Sequence, residues 1–178
     1  MARLALAAAL GAAVGAFALP VSPASADDAQ IARGKYLVII AGCSDCHTPG
    51  ALLGKPDMNR YLGGSDVGFA IPGAGIFVGQ NLTPDKETGI GSWTTEQIIA
   101  AIRTGKTPQG RDLFPVMPWP ALSHLTDEDA QAIAAFLKSV PAVENKNAGP
   151  IGPNEKATVF VSVTLPADAY NAMQAAKK

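Results

Sequence analysis

The run Cys43-Ser44-Asp45-Cys46-His47 constrains this chain more than any other stretch. Its spacing is C-x-x-C-H, the attachment signature of a c-type haem. Two thiols three positions apart can each form a thioether with one of the two vinyl groups of a single haem. The next residue, His47, is then held beneath the iron as its proximal ligand. A cofactor bound in this way supplies much of the core itself, so the fold around it can be small. Other uses of the two cysteines fit less well. A zinc site wants further Cys or His at ligand spacing, and the remaining histidine is the solitary His124. A thioredoxin-like redox pair wants a βαβ context, which the flanking pattern lacks. A Cys43–Cys46 disulfide would leave His47 as coincidence.

Both cysteines of the 178-residue chain lie inside the motif, so no disulfide framework remains once they carry haem. Only 6% of residues are aromatic, against 18 Gly and 14 Pro, which suits a loop-rich fold wrapped on a cofactor. The formal net charge of −1 implies no strong attraction to nucleic acid or to an anionic membrane.

Residues 1–26 are expected to be a signal peptide outside the fold. Arg3 is a short positive start, residues 4–19 are apolar, and Ala24-Ser25-Ala26 is a small-residue cleavage site. An uncleaved anchor is the alternative. Cleavage near Ala26 would deliver the chain to the periplasm, where haem attachment of this kind takes place. No later apolar run approaches the roughly 18 residues of a membrane span, so none is expected in the mature chain.

Three helices are expected around the motif. Over 28–41, Ile31, Tyr36, Leu37 and Ile40 can line one side, and Gly34 suggests close approach of another helix. Gly42 ends that element. Thr94 and Gln97 have capping-box spacing ahead of a helix over 94–104, stopped by Gly105. A third helix starts at Thr126, has Asp127, Glu128 and Asp129 at its positive end, and stops at Pro141. Residues 48–88 are too rich in Gly and Pro for a long helix, and a small hairpin turning at Pro72-Gly73 is expected there.

Between the second and third helices lies Leu113-Phe114-Pro115-Val116-Met117-Pro118-Trp119-Pro120. Prolines on both sides of Met117 hold the backbone extended. A thioether sulfur is a suitable sixth ligand for haem iron and raises its potential, so Met117 is the expected axial partner of His47. Met58 follows His47 by only 11 residues, and Met173 lies in a polar tail. His124 sits just before a helix cap, where a solvated histidine is expected. Met117 could otherwise merely fill a gap in the core.

The order helix, C-x-x-C-H, Gly/Pro loop, helix, Met-Pro loop, helix resembles a class I cytochrome c. More specific are Asn81-Leu82-Thr83-Pro84-Asp85 with Gly89-Ile90-Gly91-Ser92-Trp93-Thr94, and Gly110-Arg111-Asp112 leading into the Met117 loop. These resemble the haem domains of cytochrome c subunits that serve periplasmic alcohol, aldehyde and gluconate dehydrogenases. The resemblance covers about 30–142. It implies a mainly α, class I cytochrome c-like fold of three to four helices on one covalent haem c, carried by Cys43 and Cys46, with His47 and Met117 axial. It also implies an electron carrier rather than an enzyme, with a dehydrogenase as donor and an oxidase or another cytochrome as acceptor in a respiratory chain. Those subunits usually carry three such domains and a membrane-attaching tail, whereas one domain and no such tail are expected here.

The expected organisation is signal peptide 1–26, haem domain 27–142 and tail 143–178. In the tail, 145–153 has the composition of a linker. Residues 158–165 alternate like a strand that could pair with 76–78, as a strap over the domain or a docking element. With both axial positions filled, an open-site haem enzyme of peroxidase or thiosulfate-oxidising type fits less well. A gas-binding four-helix cytochrome also fits less well, because that class carries its motif near the C-terminus.

Overall fold

The computed structural model describes residues 26–156 and 160–162. The expected signal peptide, apart from Ala26, and Met173 lie outside these residues, as does most of the expected strand over 158–165.

The helical frame is α1 (Ala26–Ile40), α3 (Thr95–Thr104) and α5 (Asp127–Ser139), with one-turn pieces α2 (Cys43–His47) and α4 (Trp119–Leu122) between them. The expected caps are present. Gln97 N donates to Thr94 Oγ1 at 3.2 Å while Thr94 N donates to Gln97 Oε1 at 2.9 Å, closing the capping box of α3. Asp129 N donates to Thr126 Oγ1 at 3.1 Å at the start of α5. The inner face of α5 is the expected one, with Ala130, Ile133, Ala134 and Leu137 all buried.

Helices α1 and α5 pack through Gly34. A Cβ on Gly34 would fall on the carbonyl oxygen of Ala132 and lie 2.8 Å from Cβ of Phe136. This contact decides which face of α1 turns inward. Gly34, Leu37 and Val38 are buried, with Ile31 partly so, while Tyr36 and Ile40 are 52% and 59% exposed. The expectation that Tyr36 and Ile40 share the buried side is therefore corrected. The helix is rotated to bring its glycine, not its largest side chains, against α5. Tyr36 lies instead beneath the Arg33 guanidinium, 5.5 Å from the ring centroid. Gly34→Ala is expected to lower stability by about 1–3 kcal/mol or more, because helix backbones must separate to admit the methyl group. Chemical denaturation of the holoprotein checks this, and an unchanged midpoint would rule out the close approach.

The hairpin joins β1 (Gly68–Ile71) to β2 (Gly75–Val78), antiparallel with Gly68 opposite Val78 and Ile71 opposite Gly75. Its turn has Pro72 followed by Gly73 at φ 76°, with Ala74 N bonded to Ile71 O at 3.0 Å, the type II pattern. The tail strand β3 (Phe160–Ser162) runs parallel to β1, giving the order β2-β1-β3. The expected pairing of the tail strand with 76–78 is thus corrected. Ile151 already occupies the outer edge of β2, exchanging two backbone bonds of 2.8 and 2.9 Å with Ile76, which leaves the edge of β1 open.

Candidate haem site

Gly42, at φ 66°, turns the chain from α1 directly into α2. One helical turn then places Cys43 and Cys46 on the same side. Both thiols are free and half-buried. Burial pushes the Cys43 thiol up to about 11, with Cys46 and Asp45 adding to the rise. Cys46 is raised as well, by burial first and by Asp45 second. Both are therefore neutral thiols at neutral pH. The end of β2 seats against this turn at Gly79, where a Cβ would fall on the carbonyl oxygen of Cys46.

The ring of His47 is oriented by the backbone. Its Nδ1 lies 2.6 Å from Gln80 O. A carbonyl can only accept, so Nδ1 carries the proton and Nε2 keeps its lone pair. Burial lowers the pKa of His47, outweighing the bond to Gln80, which raises it. A neutral imidazole with a free Nε2 is the form that binds a metal. The main chain of His47 is held too, since its carbonyl accepts from Gly64 N at 2.8 Å. Just before that contact the chain turns sharply at Leu62. This buried residue has φ 59°, and its N–H donates to Thr48 Oγ1 at 3.1 Å. A left-handed leucine costs about 1–2 kcal/mol, so the surrounding bonds must enforce it.

Opposite α2 stands the Pro-bounded loop. Met117 N donates to Phe114 O at 3.0 Å, and Trp119 N donates to Met117 O at 2.7 Å around Pro118 at φ −78°, ψ 43°. That is close to an inverse γ-turn, so the loop is a pair of tight turns leading into α4, and the expectation of an extended backbone around Met117 is corrected. The loop is fastened on two sides. The Phe114 ring stacks on Phe77 of β2 with centroids 4.3 Å apart. The Trp119 indole N–H donates to Leu113 O at 3.0 Å, and its ring covers Gly105 at the end of α3.

Cys43, Cys46, His47 and Met117 all line one cavity of about 390 Å³, within the roughly 300–1,000 Å³ usual for ligand sites. Its wall is otherwise mostly apolar, with Leu82, Ile90, Trp93, Ile98, Ile133 and Leu137 among the lining side chains. Met58 is 63% exposed and, like the exposed His124, lies outside the cavity. Among the described residues no group of three or more His, Cys, Asp and Glu side chains is placed to hold a metal ion. Two wall residues were not singled out from the sequence for their chemistry. Arg111 is the only permanently charged side chain among the described residues that line the cavity. Gln80 acts through its backbone carbonyl, which side-chain chemistry does not reveal.

This donor set fits a haem. Two thiols sit one turn apart, a neutral imidazole keeps a free nitrogen, and a thioether, an apolar wall and one cation complete the lining. The comparisons agree. The family described as Cytochrome c matches residues 31–141. The cytochrome c subunit of the quinone-dependent alcohol dehydrogenase of Gluconobacter oxydans (strain 621H) is 37% identical over 145 residues, which is 79% of this chain and 28% of that one. The fructose dehydrogenase cytochrome subunit of Gluconobacter japonicus is 40% identical over 117 residues, 65% of this chain and 22% of its own. The gluconate 2-dehydrogenase cytochrome c subunit of Pantoea cypripedii is 35% identical over 123 residues, covering 68% and 26% of the two chains. The chain thus spans about a quarter of the length of these relatives.

Proposed function

The chain belongs to the cytochrome c family, and from that premise we propose that it is a periplasmic, single-haem electron carrier, not an enzyme in its own right. The observation that carries the proposal is the convergence of Cys43, Cys46, His47 and Met117 on one apolar cavity. When bound, haem c supplies the one-electron couple of its iron. Cys43 and Cys46 would hold it covalently, and His47 Nε2 and the Met117 sulfur would ligate its iron, leaving no open position for oxygen, peroxide or substrate. The apolar wall excludes water, and Arg111 offers its guanidinium to the haem carboxylates. The relatives are named as cytochrome subunits of alcohol, fructose and gluconate dehydrogenases, which supports a dehydrogenase as donor; the acceptor in this reading is an oxidase or another cytochrome of a respiratory chain. Among the described residues no helix is long and apolar enough to cross a membrane. In domain terms we assign 1–26 to a signal peptide cleaved near Ala26, 27–142 to the haem domain and 143–178 to the tail.

Carbon monoxide separates this proposal from an open-site haem. The ferrous protein is expected to bind it slowly and incompletely, because the Met117 sulfur must first leave. Rapid stoichiometric binding in a stopped-flow titration would favour a catalytic or gas-binding haem instead.

A further inference from the structure

The segment 143–152 overlaps the linker-like run 145–153, yet residues 143–148 are bonded to the two stretches of chain that grip His47, and Ile151 is bonded to Ile76 of β2. Its side chains alternate in burial. Val143, Asn145 and Asn147 are half-buried, while Glu144, Lys146 and Ala148 are exposed. One stretch is 80–83. Asn81 Nδ2 donates to Val143 O at 2.7 Å, Val143 N donates to Thr83 Oγ1 at 3.0 Å, and Gln80 Nε2 donates to Ala148 O at 2.9 Å. The other stretch is 63–65. Asn145 Nδ2 donates to Gly63 O at 2.7 Å and Asn147 Nδ2 to Ser65 O at 2.8 Å. A Cβ on Gly64 would collide with the Asn147 amide, so the strap lies directly on that backbone.

These stretches hold His47 from two directions. Gln80 O receives the imidazole Nδ1–H, and Gly64 N–H is bonded to the His47 carbonyl. We propose that 143–152 is a latch that positions the His47 imidazole, acting through Gln80 on its ring and through Gly64 on its backbone. The Gln80 amide is the key link. It donates to Val78 O at 2.8 Å as well as to Ala148 O, so the strap and β2 together fix where the Gln80 carbonyl points. A firmly held acceptor on Nδ1–H makes the imidazole a stronger donor at Nε2, which favours ferric iron. Loosening the latch therefore raises the reduction potential. This inference rests on the haem assignment above, with His47 as axial ligand.

The test compares holoprotein of wild type, Gln80→Ala and the double variant Asn145→Ala/Asn147→Ala. Thr126→Ala, which loses the N-cap of α5, serves as a control for general destabilisation. Two quantities are measured, the reduction potential and the hydrogen exchange rate of the His47 Nδ1 proton by NMR. Both latch variants are expected to raise the potential and to speed exchange roughly tenfold or more, while Thr126→Ala moves neither. If both latch variants lose stability as Thr126→Ala does but keep the wild-type potential and exchange rate, the strap is only structural and the proposal falls. A response to Gln80→Ala alone would also overturn it, because the Asn145 and Asn147 bonds that hold the strap to 63–65 would then play no part. A response to the double variant alone would overturn the route through Gln80. If the wild-type chain carries no covalent haem, the electron-carrier assignment and the latch fall together, so the two failures are distinguishable.

Discussion

Met117→Ala is expected to abolish the weak red absorption band of a methionine–iron bond in the ferric protein, a band that wild type should show. The alanine has no atom to offer the metal. Loss of the sulfur also removes a ligand that favours ferrous iron, so the reduction potential is expected to drop. A tenfold loss of ferrous preference corresponds to about 59 mV for one electron, and at least that is expected. Cyanide, carbon monoxide and water would gain access, and peroxidase activity absent from wild type is an expected by-product. The loop itself is expected to survive the substitution. The Phe114–Phe77 stack and the Trp119 bond to Leu113 O fasten it without the Met117 side chain. The variant therefore isolates ligation from folding. Met58→Leu and His124→Ala act as controls, since both residues lie outside the cavity, and Met173→Leu tests the remaining methionine of the tail. A band that persists in Met117→Ala and disappears in Met58→Leu would refute the assignment of this loop.

What could be read from the residues alone follows the range of the interactions. The haem motif, the caps at Thr94 and Thr126, and the Pro-bounded loop around Met117 are local. Each is written within a few positions; the turn of the motif and both caps emerge in the fold, while the loop closes into tight turns rather than staying extended. Gly34 signals the close approach of another helix, but its partner Ala132 lies far away in sequence, so which side chains of α1 turn inward with it was not legible. By size alone, Tyr36 and Ile40 look like better core residues than a glycine. The strap is the clearest case. Asn145 and Asn147 find their acceptors at a separation of 82 residues, and a polar V-E-N-K-N run has a linker's composition until those carbonyls are in place. The partner of β3 was misjudged for a related reason. The edge of β2 that looked available is taken by Ile151. Gln80 escaped notice because its contact with His47 uses the backbone, which every residue has.

Replacing Cys43 and Cys46 together with Ala is expected to leave a chain that does not fold. The core explains why. Leu37, Val38, Phe136 and Val140 pack between the helices, but Ile90, Ile98, Ile102, Ile133 and Leu137 of the same cluster also line the cavity. The protein alone leaves these five no more than 9% exposed, but only in a shape that encloses a cavity of about 390 Å³. At about 24 cal/mol per Å³ of unfilled cavity, leaving it empty costs up to roughly 9 kcal/mol. A domain of this size has only about 5–15 kcal/mol in total. Collapse of the walls could recover some of this, but the loops resist it. Leu62 is held left-handed and Pro118 is fixed between Met117 and Trp119, so neither side can close without breaking hydrogen bonds that hold these turns. The double variant is therefore expected to give a circular dichroism spectrum low in helix, with no cooperative thermal transition, and a sharply reduced yield. Either single variant would keep one thioether and a fraction of the holoprotein. In wild type, haem is expected to stay with the chain on a denaturing gel and through acid-acetone extraction. A double variant that melts cooperatively near the wild-type temperature would mean that the helices form a sufficient core without the cofactor. Wild-type haem that extracts into acetone would mean that the two thiols do not hold it at all.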